Sequence, residues 1–592
     1  MENALDEQQS HQTDDTLKLL SPGADTEFDT RSHHNSAQPF LKLPTEILSS
    51  ILLLASSRRD DTDYPMLLKD PDGDEDSYLS EALPSRSFIS LNLLCKRVRQ
   101  VALESPRCWS DVLVIIKNNQ VINAPTALED RLNRSKEVPM HLFFYTPYPD
   151  SLNNPQESAF FTKDQVVNPQ TLKLLGAHTH RCQHITFYTP YAYLIYHPIH
   201  ISKILQSFSW NFPSLRRLTV LDYSHFDEDL PYSFDWHQFS PHIDQTTISC
   251  VELMFCVFSG EVATTGGLLA PRGVTRLRLE RGYDPHQVIE FMRQTTHLQH
   301  LDWDACNPHE APGLWSEDSG ENKTLLTVLP DLLSLRLRTE ARHPGYFRLV
   351  APKCEELYLH EVRYLWDEMP PAFERYWGNL TLPRLQCFSI SRPTSYGNAS
   401  NDEIWAAVRR FLDRHLTLQE VFVYAPLRYD SQDLTWNWIL DYLTASPEPQ
   451  QSMPSTSDPN YHPHMSSHSN MTSSYPLPNL RNLWLEIDRK PWSSDFWQEL
   501  IASVDAVLLS RPYLTIHLWP LDSPLNSPGR NDGGEAEGRR TIFPPNLEAL
   551  AGFRPVDEGV SLGGASGRLE LLSSPRSVKW PKAWGFLHPD TG

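Results

Sequence analysis

Apolar residues recur along this chain with two different periods, and the change from one to the other divides it. From Phe40 onward, Leu43, Ile47, Ile51 and Ala55 fall four apart with Leu48 and Leu52 beside them. Pro44 stands at a first-turn position that needs no backbone donor, so the segment predicts a short amphipathic helix. Phe88, Leu91, Cys95, Val98 and Ala102 follow at steps of three and four, with Lys96, Arg97 and Arg99 on the other side and Pro106 closing the segment before Trp109. That pattern predicts a second helix with a basic flank. Past Trp109 the pattern shortens to a strand-like run from Val112 to Ile116, a helix-like stretch around Leu128 and Leu132, and a further apolar run from Met140 to Tyr145.

A second pattern then takes over. An apolar triplet spaced Φ-x-x-Φ-x-Φ appears at Cys182, Ile185, Phe187; Leu215, Leu218, Val220; Ile248, Val251, Leu253; Val274, Leu277, Leu279; and Leu298, Leu301, Trp303. It continues at Leu332, Leu335, Leu337; Cys354, Leu357, Leu359; Leu385, Phe388, Ile390; Leu418, Val421, Val423; and Leu480, Leu483, Leu485. Most copies start 22 residues (Leu332 to Cys354) to 34 residues (Leu298 to Leu332) apart; the step of 62 from Leu418 to Leu480 contains a Ser/Pro/His-rich stretch. The last two positions of each triplet, two apart, share one side of a short strand, and the first caps the layer from the preceding turn. Pro punctuates several copies at the same phase, as Pro213, Pro330, Pro383 and Pro478. Segments with helical spacing lie between strands, such as 285–293 and 402–416. A strand this short cannot bury itself alone, so copies must stack. The pattern resembles a degenerate leucine-rich-repeat array, which implies an α/β fold: an irregular solenoid of short parallel strands joined by helices and loops.

Composition sharpens this picture. With 52 Lys and Arg against 74 Asp and Glu, the formal charge is -22, which disfavours nucleic acid and anionic membrane surfaces as partners. No apolar run approaches the roughly 20 residues needed to span a bilayer, and the polar, acidic N-terminus is unlike a secretory signal; a cytoplasmic or nuclear protein is expected. The eight Cys are dilute and never form C-x-x-C, so buried reduced thiols are expected rather than disulfides or paired-thiolate zinc sites. The most metal-like cluster, His178, His180, Cys182 and His184, coincides with the start of a repeat, and ordinary strand packing is the simpler reading. No phosphate-loop, dinucleotide, zinc-protease, serine-hydrolase or kinase signature is present, so no enzyme activity, catalytic residue, metal or cofactor is expected.

The N-terminal motifs add a function. Leu43-Pro44-Thr45-Glu46-Ile47-Leu48, the run Leu94 to Leu103 (LCKRVRQVAL) and Ser105-Pro106-Arg107-Cys108-Trp109 together resemble an F-box. More narrowly, they are similar to the F-box-like proteins abundant in mushroom-forming fungi, and the stretch from Arg131 to Leu142 (RLNRSKEVPMHL) continues the likeness. The resemblance implies a helical domain that docks on the small adaptor subunit of a cullin-RING ubiquitin ligase while the downstream repeats hold a protein target for ubiquitylation. Adaptor contacts would then come from Leu43, Pro44, Ile47, Leu48, Leu94, Val98, Val101 and Trp109. Read without the resemblance, the same residues form the core of a local helical cap, and the chain is then a repeat scaffold with no ligase role. For the target, the residues between the last two apolar positions of each copy would line a continuous concave face: Arg278, Asp302, Arg336, Tyr358, Phe422 and Trp484 have the mixed charge and aromatic content that suits protein recognition. A merely solvated face is the other reading.

The organisation expected is therefore a disordered acidic arm over 1–38, an F-box-like helical domain over 39–112 with an acidic insertion at 56–86, a repeat domain over 113–520 with a disordered loop at 445–476, and a linker and weakly structured tail over 521–592.

Overall fold

The structure, a computed structural model, describes residues 42–56, 96–117, 120–121, 125–145, 169–189, 210–222, 242–244, 246–254, 272–280, 291–304, 325–340, 347–365, 380–391, 394–396, 401–424, 437–445, 476–487, 494–511, 513–520 and 568–571. Leu94, the arm over 1–38, the acidic insertion beyond Ser56, the interior of the 445–476 loop and the linker over 521–540 lie outside the described residues. The chain divides into two units, one within Met1–Val114 and Ile122–Phe143, the other within Ile115–Val121 and Phe144–Thr591. No described helix is long and apolar enough to cross a membrane.

In the first unit, helix α1 (Thr45–Ser56) meets helix α2 (Lys96–Glu104) and a 3-10 turn, Pro106–Trp109. Leu48 and Leu52 of α1 pack against Val98, Val101 and Ala102 of α2 and Cys108 of the turn, with Leu43, Leu53 and Trp109 half-buried at the edge. The buried stripe of α1 is thus Leu48 and Leu52, not the four-step series through Ile47. One residue is about 100° of helix rotation, and that rotation leaves Ile47 47% exposed. Polar ties complete the unit: Ser49 Oγ lies 2.8 Å from Ser105 Oγ, Arg97 Nη2 donates to Leu43 O at 2.7 Å, and Trp109 Nε1 donates to Ala102 O at 2.8 Å. Strand β1 (Asp111–Lys117) follows and turns into the short antiparallel β2 (Gln120–Val121); helix α3 (Pro125–Ser135) and strand β3 (Met140–Tyr145) come next. Arg134 of α3 stands 5.0 Å over the Trp109 ring.

The second unit is α/β and is built on a large parallel sheet. Helix α4 (Pro169–Gly176) leads into β4 (Cys182–Thr189), β5 (Arg217–Asp222), β6 (Cys250–Met254), β7 (Arg276–Glu280) and β8 (His300–Asp304), each parallel to the one before. Strands β9 (Leu325–Val328), β10 (Ser334–Glu340), β11 (Phe347–Val350), β12 (Glu356–Leu365), β13 (Leu380–Thr381) and β14 (Cys387–Ser391) then alternate between two sheets. The even-numbered ones extend the large sheet, while β9, β11 and β13 form a small parallel sheet of their own. After β15 (Thr394–Tyr396) and helix α5 (Asn401–Arg414), the large sheet continues through β16 (Glu420–Tyr424), helix α6 (Asn437–Thr444), β17 (Asn482–Ile487), helix α7 (Ser494–Ser510), β18 (Thr515–Pro520) and β19 (Arg568–Leu571). Of the helix anticipated at 285–293, the described residues 291–293 are helical.

Every apolar triplet read from the sequence lies on this sheet in register. Leu218, Val251, Leu277, Leu301, Leu335, Leu357, Phe388, Val421 and Leu483 are direct cross-strand neighbours, and all are buried on one face. The first position of each copy is buried as well, in a tight turn: Leu215 N, Leu332 N, Leu385 N and Leu480 N each bond to the carbonyl three residues back. Pro213, Pro330, Pro383 and Pro478 occupy the second position of those turns, where a φ fixed near −65° is favourable. The residue before each strand extends the ladder: Thr275 N to Ser249 O, Gln299 N to Thr275 O and Leu333 N to Gln299 O, at 2.8–2.9 Å. Helices pack on the same core, with Phe411 of α5 5.4 Å from Phe388.

Candidate functional site

The opposite face of the large sheet carries the residues singled out for target binding. Parallel pairing places Glu252 beside Arg278, Arg278 beside Asp302, Asp302 beside Arg336 and Arg336 beside Tyr358. The same row runs on through Ser389 and Phe422 to Trp484 and His517. All six named residues therefore share one continuous row, but the row is not solvated. Arg278, Arg336, Tyr358, Phe422 and Trp484 are buried, Phe422 completely, and Asp302 keeps 17% of its side-chain surface. Rows of side chains on neighbouring strands stand only about 4.8 Å apart, so planar groups lie against one another. Arg336 donates to Asp302 Oδ2 at 2.9 Å and lies 5.3 Å over the Tyr358 ring; the Phe422 and Trp484 rings stack at 5.3 Å, and Trp484 and His517 at 3.7 Å.

The accessible row is the preceding one, two residues earlier on each strand and on the same face. Arg276, His300, Glu356, Glu420, Asn482 and Thr515 occupy it half-buried, with Cys250, Ser334 and Cys387 buried among them. Sequence reasoning passed over this row; its signal was the residue immediately before the second apolar position of each triplet.

Charges on this face are treated in two ways. Burial opposes ionisation of Glu252, but Arg217 and Arg278, with hydrogen bonds from Arg217 (2.8 Å) and Thr219 (2.7 Å), outweigh it and hold the carboxyl below its usual range. Glu356 differs. Burial, reinforced by Glu355 and Glu420 and only partly offset by a hydrogen bond from Ser334, pushes its carboxyl up to about 7. Between Glu356 and Glu420 sits Cys387, whose thiol is pushed well above its usual value by burial and by both carboxylates. Cys250 and Cys354 are likewise pushed up to about 12 by burial, so these thiols stay protonated at neutral pH.

At the repeat start, His180 Nδ1 meets Ala177 O, the Cys182 thiol donates to His184 O, and His184 Nε2 lies 3.3 Å from Thr219 Oγ1. Among the described residues no group of three or more His, Cys, Asp or Glu is arranged to hold a metal ion.

In the first unit, the residues proposed for adaptor contact separate into two sets. Leu48, Val98 and Val101 are interior, and Leu43 and Trp109 are half-buried against them, so packing accounts for these positions. Pro44, immediately before α1, and Ile47, in its first turn, are exposed, as is Leu103 on α2. Compared with models of known protein families and with curated proteins, the chain finds no match in either.

Proposed function

We propose that the chain is an F-box-like substrate-recognition subunit: its N-terminal helical unit docks on the small adaptor of a cullin-RING ubiquitin ligase, and its parallel strand array, a leucine-rich-repeat-like solenoid, holds the protein target. Catalysis belongs to other subunits, and the expected setting is the cytoplasm or nucleus. The observation that carries this reading is the state of α1. Its L-P-x-E-I-L motif buries Leu48 in the unit's own core while Pro44 and Ile47 stay uncovered, which is the arrangement an apolar contact to a helical groove requires. The strand array supports the second half, because stacked parallel strands offer an extended face to a protein ligand.

One observation favours a second reading, a repeat scaffold without a ligase role. Leu48, Val98 and Val101 are all interior, so much of the motif is explained by packing alone. Calorimetry of the full chain with the purified adaptor separates the two. Docking predicts binding that Ile47→Asp weakens at least tenfold with no change in thermal stability, since Ile47 is exposed. Absence of binding by folded protein selects the scaffold.

A further inference from the structure

The half-buried row of the large sheet holds one place where acidic groups gather without a counter-charge. Glu356 on β12, Cys387 on β14 and Glu420 on β16 are cross-strand neighbours on three adjacent strands. Elsewhere on the face, buried carboxylates are answered by arginines: Glu252 by Arg217 at 2.8 Å, Asp302 by Arg336 at 2.9 Å. Here the flanking row positions are Ser334 and Asn482, both neutral, and Asn482 Nδ2 reaches Glu420 Oε1 at 3.3 Å. Among the described residues neither Glu356 nor Glu420 is paired with a lysine or arginine.

Two orphaned oxygens point to something missing. Glu356 Oε2 is buried with no hydrogen-bond partner, and so is Oγ of Ser389, a fully buried residue one strand over and two residues along on the same face. A buried acceptor left without a donor costs about 1–3 kcal/mol, and an unpaired carboxylate more. A ligand that supplies the missing donor removes that cost. The two glutamates stand two strand spacings apart, about 9.6 Å between backbones, so their side chains can converge over the small, neutral Cys387.

We infer that Glu356, Cys387 and Glu420 form the seat for a basic side chain, lysine or arginine, presented by the protein target. The inference rests on the reading of the strand array as the target-binding face. An ammonium or guanidinium group supplies several N–H donors and a positive charge, and so answers both carboxylates, the unpartnered Glu356 Oε2 included. The chain's formal charge of -22 adds long-range attraction for such a partner.

The test uses the full chain and a fluorescent tetra-arginine peptide in a Gly/Ser frame, with a tetra-glutamate peptide of the same length for comparison, read by anisotropy at near-physiological salt and pH 7.5. The wild type binds the arginine peptide only. Glu356→Gln with Glu420→Gln weakens that binding at least tenfold, whereas Asp441→Asn with Asp505→Asn, which changes net charge equally at exposed helix positions, leaves it within twofold. Glutamine is nearly isosteric, and thermal melting confirms that the double variant is folded. No binding by the wild type, retained binding in the double glutamine variant, or equal losses in both double variants overturns the inference. Adaptor binding, measured in the same variants, stays unchanged, so a failure here is distinct from a failure of the ligase reading.

Discussion

Two stretches of one sheet face handle buried charge in opposite ways. From β5 to β10 the carboxylates of Glu252 and Asp302 lie among Arg217, Arg278 and Arg336, and each acid has at least one guanidinium within 2.9 Å. From β12 to β16, Glu356 and Glu420 flank a protonated thiol, and the cross-strand neighbours on either side, Ser334 and Asn482, are neutral. Backbone geometry is the same in both stretches, since parallel pairing runs through them in register. The difference is therefore one of side-chain chemistry. In the first stretch each acid is answered by an arginine of a neighbouring strand, although Asp302 Oδ1 keeps no hydrogen-bond partner; the second holds charge that its own strands do not answer.

The strongest way to break the contrast is to make the first stretch resemble the second. Arg217→Ala strips Glu252 of its main partner while the carboxylate stays buried, and should cost about 3–5 kcal/mol in chemical denaturation. The wild-type pair also has a pH signature. Because Glu252 titrates lower in the folded state than its usual value of 4.5, its stabilisation is present above that value and is lost as pH falls below it; the Arg217→Ala protein should lose less on acidification.

Arg511 supplies a counterpart in which a buried cation meets neutral carbonyls. Its buried guanidinium donates to the carbonyls of Leu443 at 3.0 Å, Leu477 at 3.1 Å and Pro476, so one side chain ties together the two roots of the long 445–476 segment. Arg511→Ala should cost about 2–3 kcal/mol, measured by urea unfolding, because it leaves carbonyls without donors.

Glu356→Gln is expected to act in the opposite sense. A carboxyl pushed up to about 7 from 4.5 contributes stability that is complete below 4.5 and is lost as pH rises through about 7. The groups facing it are Ser334 on β10, Cys387 on β14, Glu420 on β16 and its neighbour Glu355. Since Glu356 is half-exposed, solvent screening reduces the effect to about 1–2 kcal/mol. The glutamine variant should thus be more stable than the wild type at pH 8 by that amount and indistinguishable from it at pH 4. The smallest effect belongs to the exposed Arg134–Asp130 pair on α3, where Asp130→Asn should shift stability by under about 0.5 kcal/mol.

Much of the strand array was legible in the chain itself. Each apolar triplet marks a strand of the large sheet, because two buried positions two residues apart define a strand face in any context, and the recurring Pro marks the turn before it. The small sheet was not legible: in β9, Leu326 and Val328 are exposed while Thr327 is buried, the reverse of the apolar-in pattern. Nor was β19, whose four residues lie far beyond the last recognised copy. In the helical unit, the four-step series through Ile47 pointed to the wrong stripe, since Leu48 and Leu52 are also four apart and only contact with α2 selects between them.

Local spacing thus settled where strands form and which of their faces is apolar, because side-chain alternation is a property of the backbone alone. Which outward row is accessible, which acids meet arginines and which do not, was decided by tertiary structure. Those outcomes depend on neighbours contributed by strands about 20 to 60 residues away, and no local pattern records whether the residue across the ladder from Glu356 is an arginine or a cysteine.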